Sequence, residues 1–168
     1  MPRAARALLL SACALAAGAL PGPVAAQQGP AFLASFGPDY GAGSAQAFDA
    51  GYATFEYRSA QRIWRGLRPI YAFSVSREGA ILGTAGVHAV FRLGAVEVTP
   101  HFGIGLWQDG RGGFDSRELI QFRSGIDAFL PLSPAVSVGL GIYHVSNAGL
   151  TNRSADLDVV RLSLLWRR

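Results

Sequence analysis

The chain has no lysine, and only one cysteine and one methionine in 168 residues. A single cysteine, Cys13, excludes a disulfide framework. Charged residues make up 15% of the chain, and all 15 basic ones are arginine. These arginines form no block of the kind that follows a nucleic-acid backbone, so nucleic acid is not expected as a partner. Past the N-terminus there is also no apolar run of the ~18 residues that a membrane-spanning helix needs. What the chain does have is 50% hydrophobic residues, 11% aromatics and 21 glycines. High apolarity cut into short pieces by glycine and turn residues points to β structure. A soluble sandwich and a membrane barrel both remain open on composition.

The first 26 residues read as a signal peptide. Arg3 and Arg6 give a positive start, Ala7 to Leu20 is apolar, and Val24-Ala25-Ala26 supplies small residues for cleavage. Leu10-Ser11-Ala12-Cys13 has the look of a lipoprotein box. The apolar stretch before Cys13 is short and continues past it, which disfavours lipidation. Losing Arg3 and Arg6 lowers the net charge from +4 to 13 − 11 = +2. Export restricts the domain at 27–168 to the periplasm, the outer membrane or the outside.

That domain divides into eight segments of alternating pattern, at 31–36, 47–58, 67–76, 80–92, 95–107, 118–130, 135–146 and 156–166. Strands of ~9–11 residues suit a tilted crossing of a bilayer, and eight strands close the smallest common membrane barrel. Closure removes the sheet edges that a bilayer does not tolerate. Small residues opposite the apolar face suit a narrow interior filled by side chains. The expected fold is therefore all-β, an eight-stranded antiparallel transmembrane β-barrel. With both termini on the periplasmic side, 38–46, 77–79, 108–116 and 147–155 become external loops. The opposite turns at 93–94 and 131–134 are short; 59–66 is longer than such turns usually are.

Parity places a polar group on the lipid side. In the seventh segment Val136, Val138, Leu140 and Ile142 share one face, which His144 and Ser146 continue. In the eighth, Val160, Leu162, Leu164 and Trp166 share a face that Asp158 continues. A hairpin pairing His144 with Asp158 would set their Cβ atoms ~5 Å apart. Ser146 lies two residues along the strand from the imidazole, ~7 Å at the backbone. Such a group has the members of a nucleophile, base and orienter. Polar groups on a lipid-facing wall cost free energy unless paired or functional. Asp156 shares this face and lies nearer the loop, so parity does not separate it from Asp158. Equally, the group is what a strand running into a turn at the headgroup level would show, since Asn147-Ala148-Gly149 is a good turn sequence.

His144-Val145-Ser146-Asn147-Ala148-Gly149, with Gln121-Phe122-Arg123-Ser124-Gly125 before it, resembles the signature of the PagL-type lipid A 3-O-deacylases. The likeness is sharp over 121–166 and architectural upstream. It implies an outer-membrane barrel that hydrolyses the ester at the 3-position of lipid A, with Ser146 as nucleophile and His144 as base. The family places a Glu fourteen residues after the His, which here is Asp158. Where the family commonly has Asn-Pro-Gly before that acid, this chain has Ser154-Ala155-Asp156. The fourteen-residue offset favours Asp158 over Asp156. Asn147 and the Gly149 N–H are candidates for the oxyanion hole. The implied partner is lipid A or lipopolysaccharide in the outer leaflet, with no cofactor and no metal. A homodimer is left open.

Other readings compete. A structural or adhesive barrel without chemistry would share the fold. A lipid A acyltransferase would carry its reactive groups inside the barrel, against the parity of His144 and Ser146. A soluble lipocalin-like binder fits the lipid-facing cluster and the terminal strand less well. His88 and His101 fall on inward faces of neighbouring segments and read as packed interior residues. Arg111 and Arg153 lie in external loops, where solvated arginine is ordinary; contact with lipid phosphates is the sharper alternative.

Overall fold

The computed structural model describes residues 29–41, 51–111, 118–150 and 156–168. The leader at 1–26 and Arg153 lie outside the described residues, as do parts of three external loops.

Among the described residues nine strand segments follow in chain order: β1 (Ala31–Gly41), β2 (Gly51–Arg58), β3 (Arg68–Ser76), β4 (Ile81–His88), β5 (Phe91–Leu93), β6 (Val96–Gln108), β7 (Ile120–Pro131), β8 (Val136–Ser146) and β9 (Leu157–Arg167). Each pairs antiparallel with its neighbours, and β1 pairs with β9 to close the sheet. β4 and β5 lie on β6 in one unbroken register, with His88 opposite His101 and Phe91 opposite Val98. They are two halves of one barrel strand, so the nine segments make an eight-stranded closed barrel. The interruption has a local cause. It falls opposite Pro100, which has no N–H to return to the ladder. The Ala89 N–H still donates to the Pro100 carbonyl at 3.1 Å.

Pro38 has a similar effect on the first strand. The sequence places it in a loop starting at residue 38, but β1 continues to Gly41. The β1–β9 ladder lapses at Gly37 and Pro38 and resumes in the same register at Asp39↔Val159. Pairing with a strand on each side keeps the chain extended through a residue that a sequence pattern treats as a breaker. The other expected strands agree with the observed ones to within a few residues at their ends.

The barrel is apolar outside and charged inside, the reverse of a soluble one. Phe36, Phe55, Phe73, Ile104, Leu106, Ile126, Leu140 and Leu162 are exposed on the outer wall. At the end carrying the termini, Trp166, Phe32, Tyr57 and Tyr71 sit side by side on β9, β1, β2 and β3. Their ring centroids are 6.3, 5.4 and 6.4 Å apart in turn. Such a row marks a membrane–water interface.

Inside, the sequence leads one to expect mainly small residues; the structure corrects this. Ala31, Leu33, Phe129 and Leu165 pack at the terminal end. Tyr52, Leu82, Trp107, Tyr143, Val145, Leu157 and Val159 pack at the opposite end. Between them lies a fully buried ion network. Arg161 bonds Glu56 through Nη1 at 2.5 Å, and Asp127 through Nε at 3.0 Å and Nη2 at 2.8 Å. Arg58 bridges the same two acids, at 2.7 Å to Glu56 and 2.6 Å to Asp127. Arg123 reaches Glu56 at 2.5 Å and lies over the Tyr143 ring, 4.1 Å from its centroid. His101 borders the network, with Nε2 3.5 Å from Asp127 Oδ2. His88 and His101 are thus inward-facing register partners in the interior, where the sequence places them.

Candidate active site

β8 and β9 carry the group singled out in the sequence. On β8 the odd positions Ser137, Gly139, Tyr143 and Val145 are buried. The even positions face out, ending in half-buried His144 and Ser146. On β9 Leu157, Val159, Arg161 and Ser163 are buried, whereas Val160, Leu162, Leu164 and Trp166 are exposed. Asp158 belongs to this outer face. The register sets His144 opposite Asp158, and His144 Nδ1 lies 2.8 Å from Asp158 Oδ1. Both side chains are a little over one-third exposed, at 38% and 36%.

This contact fixes how the ring is used. A carboxylate accepts from whichever nitrogen bears the proton, so the Asp158 contact selects the Nδ1–H tautomer. Nε2 is then the ring nitrogen that bears the lone pair. Ser146 lies on the same face two residues nearer the loop, ~7 Å along the strand. Asp156 precedes β9, outside any strand and outside the register pairs. The sequence left the two acids unseparated by parity; the hydrogen bond to the imidazole is made by Asp158.

The residues expected to form an oxyanion hole are arranged differently. Asn147 is buried, at 2% exposure, rather than displayed on the outer wall. Its side-chain Oδ1 accepts from the Gly149 N–H at 2.9 Å. Its carbonyl accepts from the Leu150 N–H at 3.1 Å. Ala148 and Gly149 have φ of 55° and 74°, so residues 147–150 form a tight turn of the type that needs two left-handed residues. The Gly149 N–H is therefore committed within this turn. Arg111 is exposed at the same end of the barrel, its own N–H donating to the Glu78 carbonyl at 2.9 Å.

One neighbour went unassigned in the sequence. Ser124 of β7 is the register partner of His144 on the side away from Asp158. Ser124, His144 and Asp158 form one polar row across three strands, on a wall otherwise lined by Phe122, Ile126, Leu140 and Ile142. The signal was available: counting back from the short turn between β7 and β8 reaches Ser124.

No protein-family model matches this chain, and no curated protein matches it. Solved structures do match in fold. The outer membrane enzyme PagL aligns over 81% of this chain and 98% of its own, with a TM-score of 0.58 and 16% identity. Neisserial surface protein A aligns over 84% and 98%, with a TM-score of 0.57 and 12% identity. Ail, the attachment invasion locus protein of Yersinia pestis, aligns over 84% and 100%, with a TM-score of 0.54 and 14% identity. At these identities the likeness is one of architecture, which an enzyme and surface proteins of other kinds hold in common.

Proposed function

We propose that this protein is a serine esterase of the outer membrane that removes the acyl chain ester-linked at the 3-position of lipid A. The observation that carries the proposal is the hydrogen bond between His144 Nδ1 and Asp158 Oδ1 on the lipid-facing wall, with Ser146 next along the same face. An aqueous enzyme would hide such a group in a cleft. Here its outward aim suits a substrate whose acyl chains already lie against the barrel.

In this reading Ser146 Oγ attacks the ester carbonyl carbon as His144 Nε2 takes its proton. The tetrahedral intermediate collapses and expels the sugar alkoxide, to which His144 returns the proton. Water, activated by the same imidazole, then frees the fatty acid from Ser146. Asp158 holds the ring in the Nδ1–H tautomer and stabilises the imidazolium between these steps. No metal or cofactor enters the scheme.

A second reading has its own support: a barrel without chemistry, since Neisserial surface protein A and Ail are as close in fold as PagL is. Mass spectrometry of lipid A from cells with and without the protein separates the two. The esterase removes one hydroxyacyl chain and Ser146→Ala restores it. Unchanged lipid A in cells carrying folded wild-type protein would sink the proposal.

A further inference from the structure

The committed Gly149 N–H leaves the developing negative charge of an ester attack without the backbone donor expected for it. We propose that the Ser124 hydroxyl supplies that hydrogen bond, making Ser124 a catalytic residue of the site. This rests on the esterase reading above.

The case starts from register. Directly opposed residues on one face of an antiparallel pair have Cβ atoms roughly 4.5–5.5 Å apart, against ~7 Å for positions two apart on one strand. Ser124 is the direct partner of His144, so it stands nearer the imidazole at the backbone than Ser146 does. Asp158 occupies the other flank, with His144 Nδ1 turned toward it. Ser124 and Ser146 are diagonal neighbours across β7 and β8, roughly 7–8 Å apart. An ester group bridging that diagonal presents its carbonyl carbon to one hydroxyl and its carbonyl oxygen to the other. The surroundings sharpen the point. The neighbours of Ser124 on the outer face of β7 are Phe122 and Ile126, and a polar group on a lipid-facing wall costs free energy unless it is paired or functional.

The step balances without a further reagent. The Ser146 Oγ–carbon bond forms as the carbonyl π pair moves onto oxygen, and the Ser146 proton goes to His144 Nε2. Ser124 donates a hydrogen bond to that oxygen and keeps its own proton. When the pair returns, the bond to the sugar oxygen breaks and His144 protonates the leaving group. A low-dielectric wall makes such a donor worth more than it would be in water.

The experiment uses the full-length chain folded in detergent micelles, with purified lipid A as substrate and released hydroxy fatty acid as readout. Ser124→Ala is expected to lower kcat on the order of 10²-fold, the usual range for one oxyanion donor, with KM changed less than about twofold. Ser124→Thr keeps the hydroxyl and is expected to recover most of the rate. A fluorophosphonate probe, located by peptide mass spectrometry, is expected on Ser146 in wild type and in Ser124→Ala. Should the alanine variant fail to fold, Ser124→Cys, close in size and a weak donor, is expected to lower kcat in the same direction. Wild-type kcat in any folded variant without the hydroxyl overturns the proposal. A probe attached to Ser124 overturns it too, by making Ser124 the nucleophile. An inactive wild type, or activity untouched by Ser146→Ala, defeats the esterase reading and this proposal with it.

Discussion

At the scale of single residues, the acid is where sequence and structure meet most usefully. Two aspartates share a face and sit two residues apart, and the spacing to His144 prefers the second. The register pair His144↔Asp158 and the 2.8 Å contact between Nδ1 and Oδ1 give that preference a geometry. Asp158→Asn offers the ring an amide that can donate where the carboxylate accepted, which favours the wrong tautomer. Under the proposed esterase function, deacylation is expected to fall on the order of 10²–10⁴-fold, the range for disabling an acid–base partner. Asp156→Asn is expected to stay within a few-fold of wild type. Steady-state release of fatty acid by the two variants checks this, and the reverse order would transfer the role to Asp156. Ser124 teaches a different lesson about residues. In the one-dimensional pattern it was an ordinary small residue on an apolar face. Only a partner strand gave it a neighbour.

At the scale of elements, β8 illustrates why glycine recurs on inward faces. A Cβ at Gly141 would overlap Asp127 Oδ1, and one at Gly139 would press on the Phe129 ring. The two glycines leave room for Phe129 and for the acid that holds Arg161. Gly141→Ala is therefore expected to destabilise the barrel by about 1–3 kcal/mol, the usual cost of overpacking a filled interior. Gly83 of β4 meets no atom within 4 Å of an added Cβ, so Gly83→Ala is expected to be tolerated. Urea midpoints of the two variants in lipid vesicles make the comparison. Equal midpoints would show that β8 yields where the packing says it does not. Proline shows the element scale from the other side. Pro38 and Pro100 each interrupt one ladder without ending a strand, because neighbours on the other edge keep the backbone extended.

At the scale of the whole molecule, an apolar exterior and a charged interior depend on one another. Three arginines and two acids in the centre could not remain there unpaired, and the closed sheet lets three strands, β2, β7 and β9, bring them together. Removing one partner strands the others as buried charges. Glu56→Gln is expected to cost about 3–5 kcal/mol, read as loss of the fast-migrating folded band on unheated SDS gels at lower urea. Glu56 faces the interior whereas the His144 row faces outward, so under the proposed function deacylation by the folded fraction is expected to be little changed. Outside, Leu162 sits at the middle of β9 and is 65% exposed. Leu162→Arg is expected to lose about 2–4 kcal/mol in a bilayer. In vesicles of normal thickness, unchanged urea stability would argue that this face does not meet hydrocarbon.

The alternation of large apolar with small or polar residues settled the eight strands, their faces, and the outward aim of His144, Ser146 and Asp158. Side-chain direction is a property of strand parity, and parity is local. The breaks between segments, rich in glycine, proline and aspartate, located most of the turns for the same reason. Register is not local. Which residue stands opposite which depends on how strands pair: the β8–β9 pairing sets Asp158 against His144, and the β7–β8 pairing sets Ser124 on its other side. Closure decided that β1 continues past Pro38. Closure alone assembled Glu56, Arg58, Arg123, Asp127 and Arg161 from three separate strands, β2, β7 and β9, since residues as distant as Glu56 and Arg161 become neighbours only when the sheet curls on itself.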